Sequence, residues 1–202
     1  MRIFAATMSE NVIIADAAFV DKVAFNLIVN FERMLERQIP QADMAKWVEC
    51  VALDGGLRNG EQQTTVILTH DKETREMKNF VPGHFSEELG GKAFKGNLGE
   101  FEFNTPSGEE FVNKDDLFLD TLQTIMQLQN VKRLMVIPDE SIYNNVREIL
   151  RKADDDDSNM KRITVFAMQP MPGGAFRQEM LGYSLMAAMG IRGEEITNKN
   201  KN

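Results

Sequence analysis

Val12-Ile13-Ile14-Ala15-Asp16 is a run of four apolar residues closed by a carboxylate, and it leads without a break into Ala17-Ala18-Phe19-Val20. A short apolar run of this kind fits a strand buried on both faces. From Asp16 to about Gln38 the apolar residues Phe19, Val20, Val23, Ala24, Leu27, Ile28, Phe31, Met34 and Leu35 recur at every third or fourth position. That is the spacing of one buried helix face. Strand, acid and long helix together make the opening of a parallel crossover unit. The residues before Met8 fit either an extra strand or an arm.

Downstream the same alternation returns. Pro40 ends the long helix, Asp43 offers an N-cap to a second helix through Met44, Trp47, Val48, Val51 and Ala52, and Gly55-Gly56 closes it. Thr64 to Thr69 is a β-branched apolar run and reads as a central strand. After a less regular stretch come a helix from Asp116 to about Gln129, a strand Arg133 to Ile137, and a helix Ser141 to about Lys152. A strand Arg162 to Met168 and a helix Phe176 to Met189, capped by Gly190, complete the series. The pattern predicts an α/β fold: a three-layer sandwich with a mainly parallel central sheet, helices on both faces, and right-handed crossovers of the Rossmann-like kind.

The 202-residue length suits one domain, expected over 1–191, with 192–202 a frayed tail. The irregular stretch at about 72–112, with Pro82-Gly83, Gly90-Gly91, Gly96 and Gly99, reads as an insertion or lid, and Glu100 to Phe103 in it as an edge strand. It also holds Lys72, Lys78, Lys92 and Lys95 among Phe80, Phe85 and Phe94, the nearest approach to a basic surface with aromatics. Glu73, Glu76, Glu87 and Glu88 cancel much of that charge, so the stretch reads as a solvated loop.

Composition excludes several classes. The chain is 43% hydrophobic and 27% charged, the balance of a globular protein. Glu10 and Asp16 interrupt the apolar start, so no secretory signal is expected, and no run is long enough to span a membrane. One cysteine, Cys50, reads as a structural thiol in a helical pattern, and a cytoplasmic location follows. The net charge of -8 opposes nucleic acid on average.

In a parallel sheet, functional side chains gather at the carboxyl ends of the strands. The predicted ends carry Asp16, then His70 and Asp71, then Asp139 and Glu140, then Gln169. Carboxylates meeting there can bind Mg²⁺ or Mn²⁺ and activate water against a phosphodiester. Equally, Asp caps helices and shapes strand-to-helix turns. The apolar face of the Asp116 helix runs through Phe118, Leu122, Ile125 and Met126, which turns Asp116 and Asp120 to solvent and leaves Asp115 the better candidate.

Three stretches carry a family resemblance: Val12 to Asp16; Lys114-Asp115-Asp116-Leu117-Phe118-Leu119-Asp120; and Leu134-Met135-Val136-Ile137-Pro138-Asp139-Glu140-Ser141-Ile142-Tyr143. Their order resembles that of the PIN and NYN nuclease-like domains. The resemblance implies a metal-dependent, RNA-processing crevice with Asp16, Asp115, Asp139 and Glu140 as metal- or water-positioning groups, the metal itself on Asp16, Asp139 and Glu140. The chain departs from the pattern where Ala17, Ala18 and Phe19 replace the usual small residue and Asn, and where Ile142 stands in place of an acid. An altered, metal-poor or inactive site follows from those departures.

The alternative is a non-catalytic α/β binding module, homodimeric, with a phosphate-ligand site at Gly173, Gly174 and Arg177. There a glycine turn followed by a helix N-terminus can present backbone N–H groups to an anion. The small and methionine residues of the last helix, Ser184, Ala187, Ala188 and Met189, suit either the core or a dimer contact. The Asp154-Asp155-Asp156-Asp157-Ser158-Asn159 run lacks the turn glycine of a calcium loop and has Val165 at the bidentate position, and His70 and His84 have no spaced partner for zinc.

Overall fold

A computed structural model describes residues 8–109, 112–154, 160–174 and 176–201. The Asp155 to Asn159 part of the acidic run and the residues before Met8 lie outside it. The elements in chain order are β1 (Asn11–Asp16), α1 (Ala17–Leu35), β2 (Ala42–Asp43), α2 (Met44–Asp54), β3 (Gln63–Thr69) and β4 (Phe80–Val81). A π-helical turn (Phe85–Leu89), β5 (Ala93–Gly96), β6 (Gly99–Asn104), α3 (Lys114–Gln127) and β7 (Arg133–Ile137) follow. The chain then forms a 3-10 turn (Glu140–Ile142), α4 (Tyr143–Asp154), β8 (Arg162–Ala167), β9 (Arg177–Met180), α5 (Leu181–Ala188) and α6 (Gly193–Lys199).

Seven strands form one sheet in the order β5-β6-β3-β1-β7-β8-β9, parallel throughout except for β5. The predicted α/β class with a mainly parallel sheet is the architecture observed. Strand alternation separates two cores. Ile13, Ala15, Val66, Leu68, Met135 and Ile137 belong to one with buried residues of α1, α2 and α5. Val12, Ile14, Ile67, Leu134, Val136 and Val165 belong to the other with residues of α3 and α4. Side chains at successive strand positions point to opposite faces, so one apolar run feeds both cores, consistent with helices on both sides.

Three expectations are corrected. The 72–112 stretch is not a lid: β6 pairs in parallel with β3 inside the sheet, β5 lies outside it, and Met77, Phe80, Phe85, Leu89, Phe101 and Phe103 are buried in the first core. Its glycines misled because turns and short strands alternate there around one π-helical turn. The expected helix from Phe176 is a strand, β9, on β8, and helix begins only at Leu181. The expected frayed tail contains α6, pinned to the end of α1 by Arg37–Glu195 at 2.9 Å and by Lys199–Glu36, with Ile196 against the core.

Candidate functional site

The chain order reverses at β1, whose neighbours β3 and β7 are reached by crossovers on opposite sides. Ligand crevices form at such switch points, beyond the carboxyl ends of the strands. Three neighbouring strands deliver acids there: Asp71 follows β3, Asp16 ends β1, and Asp139 follows β7. The start of α3 is strung across all three. Asn113 caps this helix by accepting from the Asp116 backbone N–H at 2.9 Å, and Asp71 Oδ1 accepts from the Lys114 N–H at 3.3 Å.

Two of the crevice carboxylates serve two purposes. Asp16 Oδ1 caps α1 by accepting from the Phe19 N–H at 3.0 Å, while Oδ2 accepts from Lys114 Nζ at 2.6 Å. Asp139 Oδ1 caps the 3-10 turn by accepting from the Ser141 N–H at 3.0 Å, and its Oδ2 accepts from Lys114 Nζ at 3.3 Å. Asp115 Oδ1 accepts from the same ammonium at 3.0 Å. The cap reading and the cluster reading of Asp16 and Asp139 are therefore both correct. Exposure grades outward from Asp16, whose side chain is 0% exposed, through Asp139 at 28% to Asp115 at 38%.

Lys114 is the residue that sequence reasoning overlooked. An ammonium has three N–H donors and no acceptor, and here three carboxylates meet it. Burial works against its charge, but the hydrogen bonds it donates to Asp16 and Asp115 and their negative charges more than offset that, raising its pKa above the ordinary lysine value. Burial likewise pushes the Asp16 carboxyl up, with Lys114 and the Phe19 N–H pulling the other way. At Asp139 burial opposes the charge, yet the Ser141 hydrogen bonds and Lys114 outweigh it and hold the carboxyl low. A signal was present in the sequence: a lysine in the first helical turn sits at the unfavourable positive end of the helix dipole, so something else must reward it there.

Glu140 does not join the cluster. Its carboxylate accepts from the Met168 N–H at 2.7 Å and from Gln169 Nε2 at 3.4 Å, which ties the end of β8 to the turn after β7. Its expected role as a metal ligand beside Asp16 and Asp139 has no geometric support. Among the described residues no group of three or more His, Cys, Asp or Glu side chains is disposed to hold a metal ion. The crevice as built does not fit Mg²⁺ or Mn²⁺, because a cation needing several oxygen ligands would have to enter where a fully hydrogen-bonded ammonium already sits.

The Gly173, Gly174 and Arg177 site also differs from expectation. Gly173 and Gly174 have φ of 73° and 116°, conformations that favour glycine, but the loop leads into β9 and not into a helix N-terminus. Its carbonyls are held from below: Tyr143 Oη donates to Gly173 O at 2.9 Å and an Arg147 N–H to Pro172 O at 3.1 Å. Arg177 is paired with Glu179 at 2.5 Å. Cys50 is half-buried, and burial raises its thiol pKa, as suits a structural residue.

A family model described as a family of unknown function, DUF6621, matches residues 5–196. No curated protein and no solved structure matches the chain.

Proposed function

As the chain belongs to the DUF6621 family, we propose that it is a non-catalytic binding module on a scaffold similar to the PIN and NYN domains, its acidic crevice closed by a built-in cation, Lys114. One observation carries this reading: the ammonium lies 2.6, 3.0 and 3.3 Å from Asp16, Asp115 and Asp139, so the carboxylates that would hold a divalent metal are spent on a side chain. A hydrolase needs its metal site open to substrate and water. Here the three strand and helix ends are stapled together, a structural use of acids that the nuclease pattern would employ in catalysis.

The test is a titration of Mn²⁺ and Mg²⁺ against wild type and Lys114→Met, followed by thermal unfolding and by cleavage of a labelled single-stranded RNA. Wild type is expected to show no metal-dependent rise in Tm and no cleavage. Lys114→Met, with its carboxylates released, is expected to gain a metal-dependent rise. A saturable Mn²⁺ effect and RNA cleavage in wild type, both lost in Asp16→Asn, would overturn the reading in favour of an RNA-processing enzyme.

A further inference from the structure

We propose that the cleft beside His70, between the segments 72–75, 84–87 and 105–107, binds a phosphate group, free or at the end of a small ligand. This gives the binding module a ligand class and rests on that reading for its biological sense, although none of the residues involved belongs to the crevice. The cleft has a volume of about 290 Å³ and is lined by Lys72, Thr74, Arg75, His84, Glu87 and Ser107 among others. That is at the small end for ligand pockets and suits a compact anion with a modest organic body.

Its charges are unspent. Among the described residues the side chains of Lys72 and Arg75 make no hydrogen bond or ion pair, and both residues are exposed. His84 accepts the Glu87 N–H at its Nδ1, at 3.3 Å, so in the neutral ring the hydrogen resides on Nε2, a donor. Glu87 is the acid of the lining, but its side chain is 76% exposed and stands 3.9 Å from that Nε2. The hydroxyls of Thr74 and Ser107 complete a set of donors from three segments. A tetrahedral dianion uses several donors at once and matches the guanidinium fork.

The back wall is rigid. The His70 ring stacks on Phe85, centroids 3.9 Å apart and planes within 7°. Its Nδ1 faces Asp71 O at 2.8 Å and its Nε2 faces Thr105 O at 3.2 Å, so His70 braces the wall rather than reaching for a ligand. A wall held by these contacts, with exposed cations at the mouth, confines the ordering cost of binding to a few side chains. An extended nucleic acid is disfavoured, since one short cleft in a chain of net charge -8 offers no continuous basic track.

Isothermal titration of the full chain with inorganic phosphate and, separately, with adenosine 5′-monophosphate tests this. Both probes on the wild type are compared with Lys72→Ala/Arg75→Ala, with Arg75→Glu, and with a control, Lys92→Ala/Lys95→Ala, that removes equal charge at β5. Saturable binding is expected in wild type and control, about tenfold weaker or worse in the double variant, and abolished by the charge reversal. Binding of phosphate alone marks a free-anion site, and tighter binding of the nucleotide marks a phosphomonoester site. No saturable binding of either probe, or equal weakening in the control, overturns the proposal. Among the described residues the substituted side chains have no partners to lose, and circular dichroism verifies that the variants fold. The metal titration reports on the crevice and the phosphate titration on the cleft, so the two readings fail separately.

Discussion

The crevice takes in Asp71 and the cleft its chain neighbours His70 and Lys72, yet the two dispose of charge in opposite ways. In the crevice every charged group has its partner: one ammonium satisfies three carboxylates, and two of those carboxylates also cap helical turns. In the cleft Lys72 and Arg75 face solvent without a partner among the described residues. The lesson is that a cluster of titratable groups points to a ligand by its unsatisfied valence, not by its density. Carboxylates at strand ends are common to structural staples and metal sites, and only the identity of the cation between them separates the two.

The sharpest way to break the comparison is Asp16→Ala. If the crevice is a staple, removing its most buried member strips a cap from α1 and unbalances the ammonium, and chemical denaturation should show a loss of about 3 kcal/mol. A loss near zero would mean that the cluster holds nothing together.

Lys114→Met should cost somewhat less at neutral pH, about 2 kcal/mol, by leaving Asp16, Asp115 and Asp139 to repel one another. Its pH dependence carries a sign. The folded lysine pKa is raised, so the wild-type advantage is fully present below the ordinary lysine value of about 10.4 and is lost as pH climbs through the higher folded value. The Asp139 pKa is held low, so its contribution is present above about pH 3.9 and is lost as pH falls through the folded value. Asp16, with its pKa raised, works in the opposite sense and favours the acid side. The gap between wild type and Lys114→Met, followed by urea denaturation across pH, should therefore be broadest near neutrality and close at both extremes. A flat gap would remove the ion cluster from the account of stability.

Glu140→Gln gives the smallest effect, about 1 kcal/mol, from weakening a charge-assisted hydrogen bond to the Met168 N–H. It should leave both the metal response of Lys114→Met and the phosphate titration unmoved. An altered metal response would return Glu140 to the crevice.

Legibility followed the range of the interactions involved. β1, β3, β7 and β8 were readable because each is an apolar run whose two faces both meet helices, and α1 because a long amphipathic period has few alternative readings. β6 was legible as a strand through its alternation but misplaced at an edge, since nothing local says that β5 will turn back and cover it. β9 was read as helix because Arg177, Gln178, Glu179 and Met180 are all good helix formers; pairing with β8 overrode propensity. α6 was read as tail because its anchors, Glu36 and Arg37, are more than 150 residues away in the chain.

The same division runs through the site. Asp16 and Asp139 could be picked out in advance, because an acid after an apolar run must emerge at a strand end and a parallel fold brings central strand ends together, and Asp115 because it stands at a helix start, nearer the apolar face than Asp116 and Asp120. Composition and hydrophobic period thus determined the fold class, the central strands and the edge at which chemistry would be sought. What a carboxylate faces across that edge is decided by side chains arriving from other elements, and one flexible lysine at the start of α3 turns a plausible metal site into a closed ion cluster. Periodicity is a local property and can be read along the chain; charge compensation is a property of three-dimensional neighbours and had to wait for the tertiary structure.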